Sequence, residues 1–440
     1  MTQNQDSVQW PFTPSARNIE IVGAGGAYLI QANGSRLLDA AGGAIVVNVG
    51  HGRASVAQAV YDATKTTTYV VPPWLTTQRR NLIERLRADW LPPSFDHIHL
   101  TCGGSEGVET AMKIAIQSQA ARGMPERTKI IGRSVSYHGT TLATTAVGGH
   151  TARKKGLAHV LETYPVVPTP YPLRCPLGPH HPGAGRYYVD ALAKVIEDEG
   201  AETVAAFLAE PINGSSGGAI IPPDDYWIGV RSLCDKHGIL LIMDEVMTGF
   251  GRTGVPFAFQ HWGIEPDIFV SGKGLAGGYA PITGVFATSA VADPIAAAGM
   301  NVMFHTFGAH PAACAAACEV LRLLGEENLL QRCAIAGEVL QRRLKDVFGN
   351  HPNVAEVRGR GLLQAIEIVK NRTTLEPFDV SANITNRVIS AALRRGVFFY
   401  GGGTGDVRDI VCMGPPFIIG DAEIEQMVRA LSESLDEVLR

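Results

Sequence analysis

Short apolar runs that end in polar residues or glycine recur through the middle of the chain, and segments with helical periodicity lie between them. These runs occupy residues 129–132, 204–209, 239–243, 267–270 and 282–287. Continuous apolar runs of this length are typical of strands that are covered on both faces of a parallel sheet. The alternation of strand and helix therefore predicts an α/β domain, with helices on both faces of a mostly parallel sheet.

Both ends of the chain show a different pattern. Residues 1–20 show neither the helical nor the strand periodicity of apolar residues, and they are predicted to form a loose arm. Residues 28–39 alternate around Asn33-Gly34, the strongest short signal for a β-hairpin. Beyond residue 326 the pattern predicts two amphipathic helices, short strands and a final helix that begins at Asp421. We expect these short strands at residues 361–367, 397–400 and 410–413.

Composition and charge limit the classes of function. The formal net charge is -4 at pH 7, which offers no electrostatic basis for binding nucleic acid. No apolar run is as long as a membrane span, and the opening MTQNQDSVQW lacks the basic and apolar regions of a signal peptide. The 7 cysteines are scattered without a CxxC pair, as in proteins of a reducing compartment. The sequence thus predicts a cytoplasmic protein without a membrane or nucleic acid partner.

Two of the predicted strands end in charged residues. The run at 239–243 is followed by Asp244, and the run at 267–270 leads shortly to Lys273. Ligands of an open parallel sheet bind beyond the carboxyl ends of its strands, so neighbouring strands would bring both side chains to one crevice. Pyridoxal phosphate needs such a pair: a lysine that forms a Schiff base with its aldehyde and a carboxylate that pairs with its pyridinium nitrogen. Each residue alone is equally compatible with a surface lysine or a helix-capping aspartate.

A strand at residues 97–101, a glycine-rich turn and a helix predict a phosphate site. The turn contains Gly104 and Ser105, and the predicted helix begins at Val108. Backbone N–H groups and the helix dipole attract an anion at such a place, and glycine lets a phosphate approach closely. The other glycine-rich stretches match neither a dinucleotide-binding loop nor a P-loop.

Two further strand ends carry aromatic or acidic groups. Tyr137 and His138 follow one strand, and an aromatic ring at that place can stack on a flat cofactor ring. Glu210 follows another strand and is expected to face the same crevice. The cysteine and the paired histidines of the proline-rich stretch 164–187 do not form a closed zinc ligand set, so no metal site is predicted.

These motifs, taken as continuous text, resemble one enzyme family. DEVMTGFGRTG from Asp244 and SGKG around Lys273 are similar to the class III, or ω-amino-acid type, aminotransferases. The texts GGSEGVETAMK and YHG match the phosphate and aromatic motifs of the same family. The similarity covers nearly the whole chain, and it implies that pyridoxal phosphate is the cofactor.

The resemblance also implies an architecture. Members of this family have the α/β fold called fold type I of pyridoxal phosphate enzymes. A large domain has a mostly parallel sheet flanked by helices, and both termini form a small α+β domain. We expect the small domain to comprise residues 1–70 and 321–440, and the large cofactor-binding domain to comprise residues 71–320.

The family's cofactor contacts carry over to matching positions of this chain. Besides Asp244 and Lys273, the resemblance implies contacts from Gly104, Ser105, Tyr137, His138, Glu210, Val246 and Thr306. In the family, the threonine at the position of Thr306 binds the cofactor phosphate of the other subunit. The chain is therefore expected to form a homodimer or a dimer of dimers with shared sites.

Three departures from the family pattern concern the substrate. Thr140 replaces the arginine that follows YHG in acetylornithine-type and 4-aminobutyrate-type members, and Ser215 replaces their glutamate after the EP motif. Met247 replaces a glutamine and makes the cofactor surroundings more apolar. A pocket without a fixed guanidinium cannot strongly select a distal carboxylate. In this respect the chain is more similar to the amine:pyruvate ω-transaminases.

The same resemblance suggests three substrate-side residues. Arg408, ahead of the PPF segment, is the nearest match to the movable arginine that accepts a keto-acid carboxylate; it is equally compatible with a solvated loop arginine. Ile45 stands where several amine transaminases carry tryptophan, which leaves room for a bulkier donor. Trp74 is expected to line the same pocket.

The predicted function is transamination. An amine or an ω- or β-amino acid would donate its amino group to a keto acid, pyruvate or 2-oxoglutarate, in a ping-pong reaction with Lys273 as Schiff-base residue and proton carrier. Two alternatives stay open. An aminomutase or racemase on the same fold would need no acceptor, and a non-catalytic protein of this fold would have no need to keep Asp244, Lys273 and Thr306.

Overall fold

A computed structural model describes residues 19–301 and 304–440 of the chain. Only the last two residues of the predicted N-terminal arm fall within these ranges. The strands are β1 (Ile21–Gly25), β2 (Tyr28–Gln31), β3 (Arg36–Asp39), β4 (His97–Thr101), β5 (Lys129–Arg133), β6 (Val166–Val167), β7 (Val204–Ala209), β8 (Leu240–Asp244), β9 (Ile268–Ser271), β10 (Thr283–Ala287), β11 (Val354–Arg360), β12 (Leu363–Ile368), β13 (Val397–Phe398), β14 (Tyr400–Thr404) and β15 (Val407–Met413).

Helices connect most of these strands and cover the sheets. The α-helices are α1 (Gly42–Ile45), α2 (Ala54–Thr66), α3 (Thr77–Arg85), α4 (Gly104–Ala121), α5 (Leu142–Val147), α6 (Thr151–Lys154), α7 (Ala184–Glu199), α8 (Tyr226–His237), α9 (Ser289–Ala297), α10 (Pro311–Glu326), α11 (Leu329–Phe348), α12 (Ile384–Arg394) and α13 (Asp421–Leu439). Among the described residues, no helix is both long and apolar enough to cross a membrane.

The central sheet is mostly parallel, as the apolar runs predict. Its strand order is β4-β10-β9-β8-β7-β5-β6, and β10 runs antiparallel to both of its neighbours. Every residue of β7, β8 and β9 is buried, which explains why their sequences are continuously apolar instead of alternating. The α/β fold class predicted from the sequence is confirmed.

The first and last parts of the chain meet in a second sheet. The predicted hairpin forms between β2 and β3, with Tyr28 opposite Leu38. β13 then pairs in parallel with β3 and places Val397 beside Leu38. A third, antiparallel sheet has the order β11-β12-β15-β14. This topology fits a small domain built from both termini, and the boundaries at residues 70 and 320 stay a prediction.

The structure corrects several predicted elements. Helix α4 begins at Gly104 instead of Val108, because the glycine-rich turn itself adopts the first helical turn. β11 was absent from the prediction, and the expected strand at 397–400 is split between β13 and β14. The final helix does begin at Asp421, where two acidic residues in the first turn favour its N-terminus.

Candidate active site

Asp244 and Lys273 lie together because their strands are neighbours. β8 and β9 pair in parallel with Asp244 opposite Val270, and Lys273 follows the end of β9. Both side chains line a cavity of about 500 Å³ at the carboxyl ends of the sheet strands. The expectation that the two charged strand ends share one crevice is confirmed by this geometry.

Lys273 combines an unusual backbone conformation with a lowered pKa. Its φ is 38°, in the left-handed region that a lysine seldom adopts, and such strain is most often found at functional sites. The pKa of Lys273 is lowered to about 8, chiefly by desolvation; the charge of Asp244 opposes this shift and the charge of Arg252 adds to it. A much larger fraction of this amine is therefore neutral near pH 8 than in an exposed lysine.

Asp244 is fixed in place by two contacts. Its Oδ1 accepts a hydrogen bond of 3.0 Å from the backbone N–H of Val246, and its Oδ2 lies 2.8 Å from Nδ1 of His138. Both the carboxylate and the imidazole are buried. Among the described residues Nε2 of His138 has no hydrogen-bond partner, so the imidazole is held through Asp244 alone. Such a buried carboxylate favours a cationic partner in the cavity.

The N-terminus of α4 forms one wall of the cavity. Gly103, Gly104 and Ser105 all line it, and the backbone N–H groups of a first helical turn have no intrahelical acceptors. Glu106 turns back and accepts hydrogen bonds from the backbone N–H groups that precede the helix, at 3.1 and 3.3 Å. Its carboxylate thus braces the turn, which agrees with a site for a phosphate group.

A second loop packs directly against this turn. Ser105 Oγ accepts a 3.0 Å hydrogen bond from the backbone N–H of Thr140. The preceding residue, Gly139, has a φ of 141°, and a Cβ atom there would lie 2.6 Å from Ser105 Oγ. Only glycine therefore permits the close approach of the two loops that orients Ser105.

Tyr137 is positioned by a buried ion pair that the sequence did not reveal. Its backbone N–H donates to Oε1 of Glu210 at 3.2 Å, and Arg133 lies 3.1 Å from the other carboxylate oxygen. Glu210 therefore does more than face the cavity, because it ties the end of β7 to the end of β5. Arg133 is the last residue of β5 and follows the apolar run directly, and a charge at the end of a buried strand was the signal that could have identified it.

Arg252 is a second residue that the sequence analysis missed. Its guanidinium donates hydrogen bonds to the carbonyl oxygens of Pro415 at 2.7 Å and Val47 at 3.0 Å, and it lies 4.6 Å from the ring centroid of Phe417. It therefore joins segments from both termini beside the cavity, whose lining includes Val46. Burial lowers the pKa of Arg252 to about 10.

The predicted substrate-side residues lie away from the cavity lining. The guanidinium of Arg408 donates to the carbonyl oxygen of Phe378 at 2.8 and 3.1 Å, so it is engaged in a loop contact instead of facing the cavity. Ile45 is buried beneath the surface, and its neighbour Val46 lines the cavity instead. Trp74 is 69% exposed. Sequence position alone could not decide these orientations.

Thr306 is also exposed and is absent from the lining of the cavity in its own chain. Next to it, Phe307 is 61% exposed and its ring lies 6.1 Å from that of Tyr69. Arg79 connects this region with the loop of Trp74, because it donates to the carbonyl oxygens of Trp74 and Ala309. We name Tyr69, Trp74 and Phe307 the aromatic surface.

The described part of the chain contains no cluster of three or more histidine, cysteine or acidic side chains arranged to hold a metal ion.

Comparison with known proteins shows the family to which the chain belongs. The sequence model described as "Aminotransferase class-III" matches residues 12–435. The chain belongs to the class III aminotransferases. This aminotransferase accordingly has fold type I, and its cofactor is pyridoxal phosphate.

Individual relatives cover almost the full length of the chain. The putrescine–pyruvate aminotransferase of Pseudomonas aeruginosa is 33% identical over 427 residues, which are 95% of this chain and 90% of that protein. The taurine–pyruvate aminotransferase of Rhodobacter capsulatus is 33% identical over 440 residues, covering 98% of this chain and 93% of that protein. The pyridoxal-phosphate-bound amine transaminase of an uncultivated Pseudomonas species has a TM-score of 0.93 at 32% identity, and the match covers 99% of this chain and 100% of that chain.

The residues of the cavity fit this cofactor chemically. A helix N-terminus with glycines suits the phosphate, a buried carboxylate suits a pyridinium nitrogen, and a lysine with a lowered pKa suits an aldehyde. The three groups line one cavity, and they come from the ends of strands β4, β8 and β9.

Proposed function

We propose that this aminotransferase moves an amino group from an amine or an ω- or β-amino acid to a keto acid such as pyruvate or 2-oxoglutarate. The observation that carries this proposal is the lining of the cavity, in which Lys273 is the only cationic side chain within the described ranges. The remaining lining includes the apolar Val46, Ile212, Met247 and Ile282. A pocket without a fixed arginine favours donors that carry no carboxylate at the reacting end.

The names of two relatives support the same class of donor. One acts on putrescine and pyruvate and the other on taurine and pyruvate, so each takes a primary amine that is not an α-amino acid. The apolar lining of the cavity is compatible with amines of this kind.

Each group of residues in the cavity lining has a proposed role. When bound, pyridoxal phosphate supplies an aldehyde that exchanges with amines and a ring that withdraws electrons. Asp244, oriented by His138, holds the ring nitrogen protonated. Gly104 and Ser105 bind the phosphate.

Other side chains orient the ring. Tyr137 and Val246 both line the cavity, and they are proposed to enclose the ring between an aromatic and an apolar side chain. Glu210 holds Tyr137 through the backbone and, by the resemblance, also lies near the cofactor.

Lys273 is proposed to serve in both halves of the reaction. With the cofactor bound, its Nζ would hold the aldehyde, and the freed amine would be placed to take the proton from the substrate carbon that carries the amino group. The same cavity then accepts the keto acid, so donor and acceptor react in turn at one lysine. A lowered pKa suits this double role because the amine must be neutral to attack and to accept a proton.

We further propose a homodimer or a dimer of dimers in which Thr306 of each protomer reaches the phosphate of its partner. Clusters of exposed apolar side chains frequently mark a protein interface. The aromatic surface, adjacent to Thr306, supplies such an exposed patch, since Phe307 is its immediate neighbour.

Replacement of the lysine tests the chemistry. In the variant Lys273→Ala we expect turnover to fall by at least about 10⁴-fold, because both the covalent link and the proton carrier are lost. The control Lys194→Ala removes an exposed lysine of α7 and should keep wild-type activity. The assay follows alanine formation from pyruvate with a panel of primary amines. Normal turnover by Lys273→Ala would refute the assignment.

The same assay separates transamination from isomerisation on this fold. A transaminase converts the donor only when a keto acid is present or the cofactor is consumed stoichiometrically. Conversion of an amino acid to an isomer without any acceptor, at catalytic rates, would instead identify an aminomutase or racemase.

A further inference from the structure

The turn at residues 214–218 forms a part of the cavity wall that is distinct from the proposed cofactor contacts. Gly214 and Ser215 line the cavity, and the backbone N–H of Gly218 donates to the carbonyl oxygen of Gly214 at 2.8 Å, which closes the turn. Neither lining residue is among the groups proposed to hold the cofactor. The position of this turn therefore limits the space that remains for the donor.

Arg358 of β11 holds this turn from the side of the antiparallel sheet. Its Nε donates to the carbonyl oxygen of Gly218 and its Nη2 to that of Gly217, both at 2.6 Å. Its Nη1 donates to Tyr171 Oη at 2.6 Å and to a carboxylate oxygen of Glu367 at 2.9 Å. Arg358, Tyr171 and Glu367 are all buried. Because the planar guanidinium has partners on both sides, it fixes the direction of two successive carbonyl groups of the turn.

Strand β14 of the same sheet touches the turn beside the cavity. The backbone N–H of Gly403 donates to the carbonyl oxygen of Ser215 at 2.8 Å. A Cβ atom at Gly402 would lie 2.5 Å from that same oxygen. Among the described residues, the cavity lining includes Ser215 but none of β14, so Ser215 lies between the strand and the cavity. A side chain at position 402 would therefore move Ser215 towards the cavity.

Both ends of the turn are held as well. Before it, the side-chain amide of Asn213 donates to the carbonyl oxygen of Val135 at 2.8 Å. At its end, Gly218 has a φ of 67°, and a Cβ atom there would lie 2.3 Å from Ile410 Cγ2 of β15. The turn is thus packed between the segment after β5 and the antiparallel sheet, and a displacement at Ser215 is directed into the open cavity.

We propose that Arg358 and Gly402 are positioning residues that set the size of the accepted donor by fixing the place of Ser215 in the cavity wall. This inference rests on the proposed function, because it concerns the donor of the same site. The guanidinium keeps the turn against the sheet, and the absent side chain of Gly402 leaves the turn room to lie there. An apolar pocket discriminates by about 10-fold to 200-fold for one methylene group, so a small displacement of its wall changes the selection of donors.

The decisive experiment measures the ratio of kcat/KM for a large donor, 1-phenylethylamine, to that for a small donor, propan-2-amine, with pyruvate as acceptor. In the holoenzyme of Gly402→Ala this ratio should fall about 10-fold or more, because Ser215 narrows the cavity. In Arg358→Lys it should rise by a similar factor, because a wall that is no longer held yields to a bulky donor. Lysine keeps the charge opposite the buried Glu367, but it lacks the planar fork.

Two further measurements separate this role from general damage to the fold. The Kd for pyridoxal phosphate should be unchanged in both variants, since the turn lies apart from the proposed cofactor contacts. Gly401→Ala, in the same strand, is the matched control: its Cβ would face Thr385 and Ile389 of α12 at 3.1 and 3.4 Å, and it should keep the wild-type ratio. Gly402→Ala leaves every buried charge in place, so it tests the inference even if Arg358→Lys fails to fold.

Binding of unreactive ligands makes the test independent of turnover. The alcohols 1-phenylethanol and propan-2-ol have the shapes of the two donors without the amine, and absorption changes of the bound cofactor report their Kd values. Gly402→Ala should raise the Kd of the larger alcohol about 10-fold relative to that of the smaller one. An unchanged ratio in Gly402→Ala, or the same change in Gly401→Ala, would overturn the inference. If the alcohols show the shift but neither amine is transaminated, the role of the wall stands and the proposed function fails.

Discussion

Lys273 shows most directly how single residues acquire function from their surroundings. Its left-handed backbone places the side chain into the cavity, and desolvation lowers its pKa to about 8. Asp244, nearby, supplies the opposite charge and limits this shift. The reactive amine is thus poised between a carboxylate that favours its charged form and an environment that favours its neutral form.

The pH dependence of cofactor uptake tests this balance. Because only the neutral amine attacks an aldehyde, the rate at which cofactor-free protein incorporates pyridoxal phosphate should rise with pH through about 8. Arg252 lowers the pKa of Lys273 by its charge, so Arg252→Met should raise that pKa and move the rise to higher pH. Arg252→Lys, which keeps the charge, should leave it in place. Identical profiles for Arg252→Met and wild type would contradict this electrostatic role.

At the scale of elements, the site depends on how loops meet at the carboxyl ends of the sheet. The N-terminus of α4 is braced by Glu106 from one side and by the loop of Gly139 and Thr140 from the other. The ends of β5 and β7 are joined by the pair Arg133 and Glu210. These contacts hold each loop to a fixed element, which preserves the relative positions of the proposed cofactor contacts.

The contact between the two loops predicts that a methyl group added at Gly139 weakens cofactor binding. A Cβ at position 139 would lie 2.6 Å from Ser105 Oγ, so Gly139→Ala must displace the serine from the proposed phosphate site. We expect the Kd for pyridoxal phosphate to rise about 10-fold to 100-fold, as when a hydrogen bond to a charged group is lost.

A glycine at the end of α4 provides the matched control. Gly123 also has a positive φ, of 83°, but a Cβ there meets nothing within 4 Å. Gly123→Ala should cost about 1–2 kcal/mol of stability from its left-handed backbone while leaving cofactor affinity unchanged. Fluorescence titration with the cofactor and thermal unfolding separate the two effects; equal Kd values for the two variants would contradict the role of Gly139.

At the scale of the whole molecule, three sheets bring distant parts of the chain together. Arg358 of β11 illustrates this, because it pairs with Glu367 of β12 at 2.9 Å and donates hydrogen bonds to the carbonyl oxygens of Gly217 and Gly218 at 2.6 Å. The latter residues follow Gly214 and Ser215 of the cavity lining. One wall of the cavity is therefore supported by the antiparallel sheet from the last part of the chain.

The aromatic surface leads to a prediction about assembly. If it is the contact between protomers, Phe307→Asp places a charge in a buried apolar interface and should convert the oligomer to monomers. Cofactor affinity should fall as well, because Thr306 would no longer reach the partner's site. Val380→Asp alters another exposed apolar residue, 76% accessible, and should leave the assembly intact. Sedimentation velocity measures both; an unchanged oligomer in Phe307→Asp would place the interface elsewhere.

The sequence by itself determined the elements whose signals are local. The apolar runs located β7, β8 and β9, and the polar residues after them identified Asp244 and Lys273, because the carboxyl ends of adjacent parallel strands share one edge. The hairpin at Asn33-Gly34 was equally predictable from its turn. Motifs of a few residues were sufficient to identify the family, and the family implies the cofactor.

Only the tertiary structure decided which distant side chains meet. The contacts of Arg252 with Val47 and Pro415, and of Arg133 with Glu210, join segments far apart in the chain, and no local period encodes them. The direction of Arg408 was undetermined for the same reason. The direction of a long, flexible arginine side chain depends on which hydrogen-bond acceptors lie within its reach, and these are defined only once the whole chain has folded.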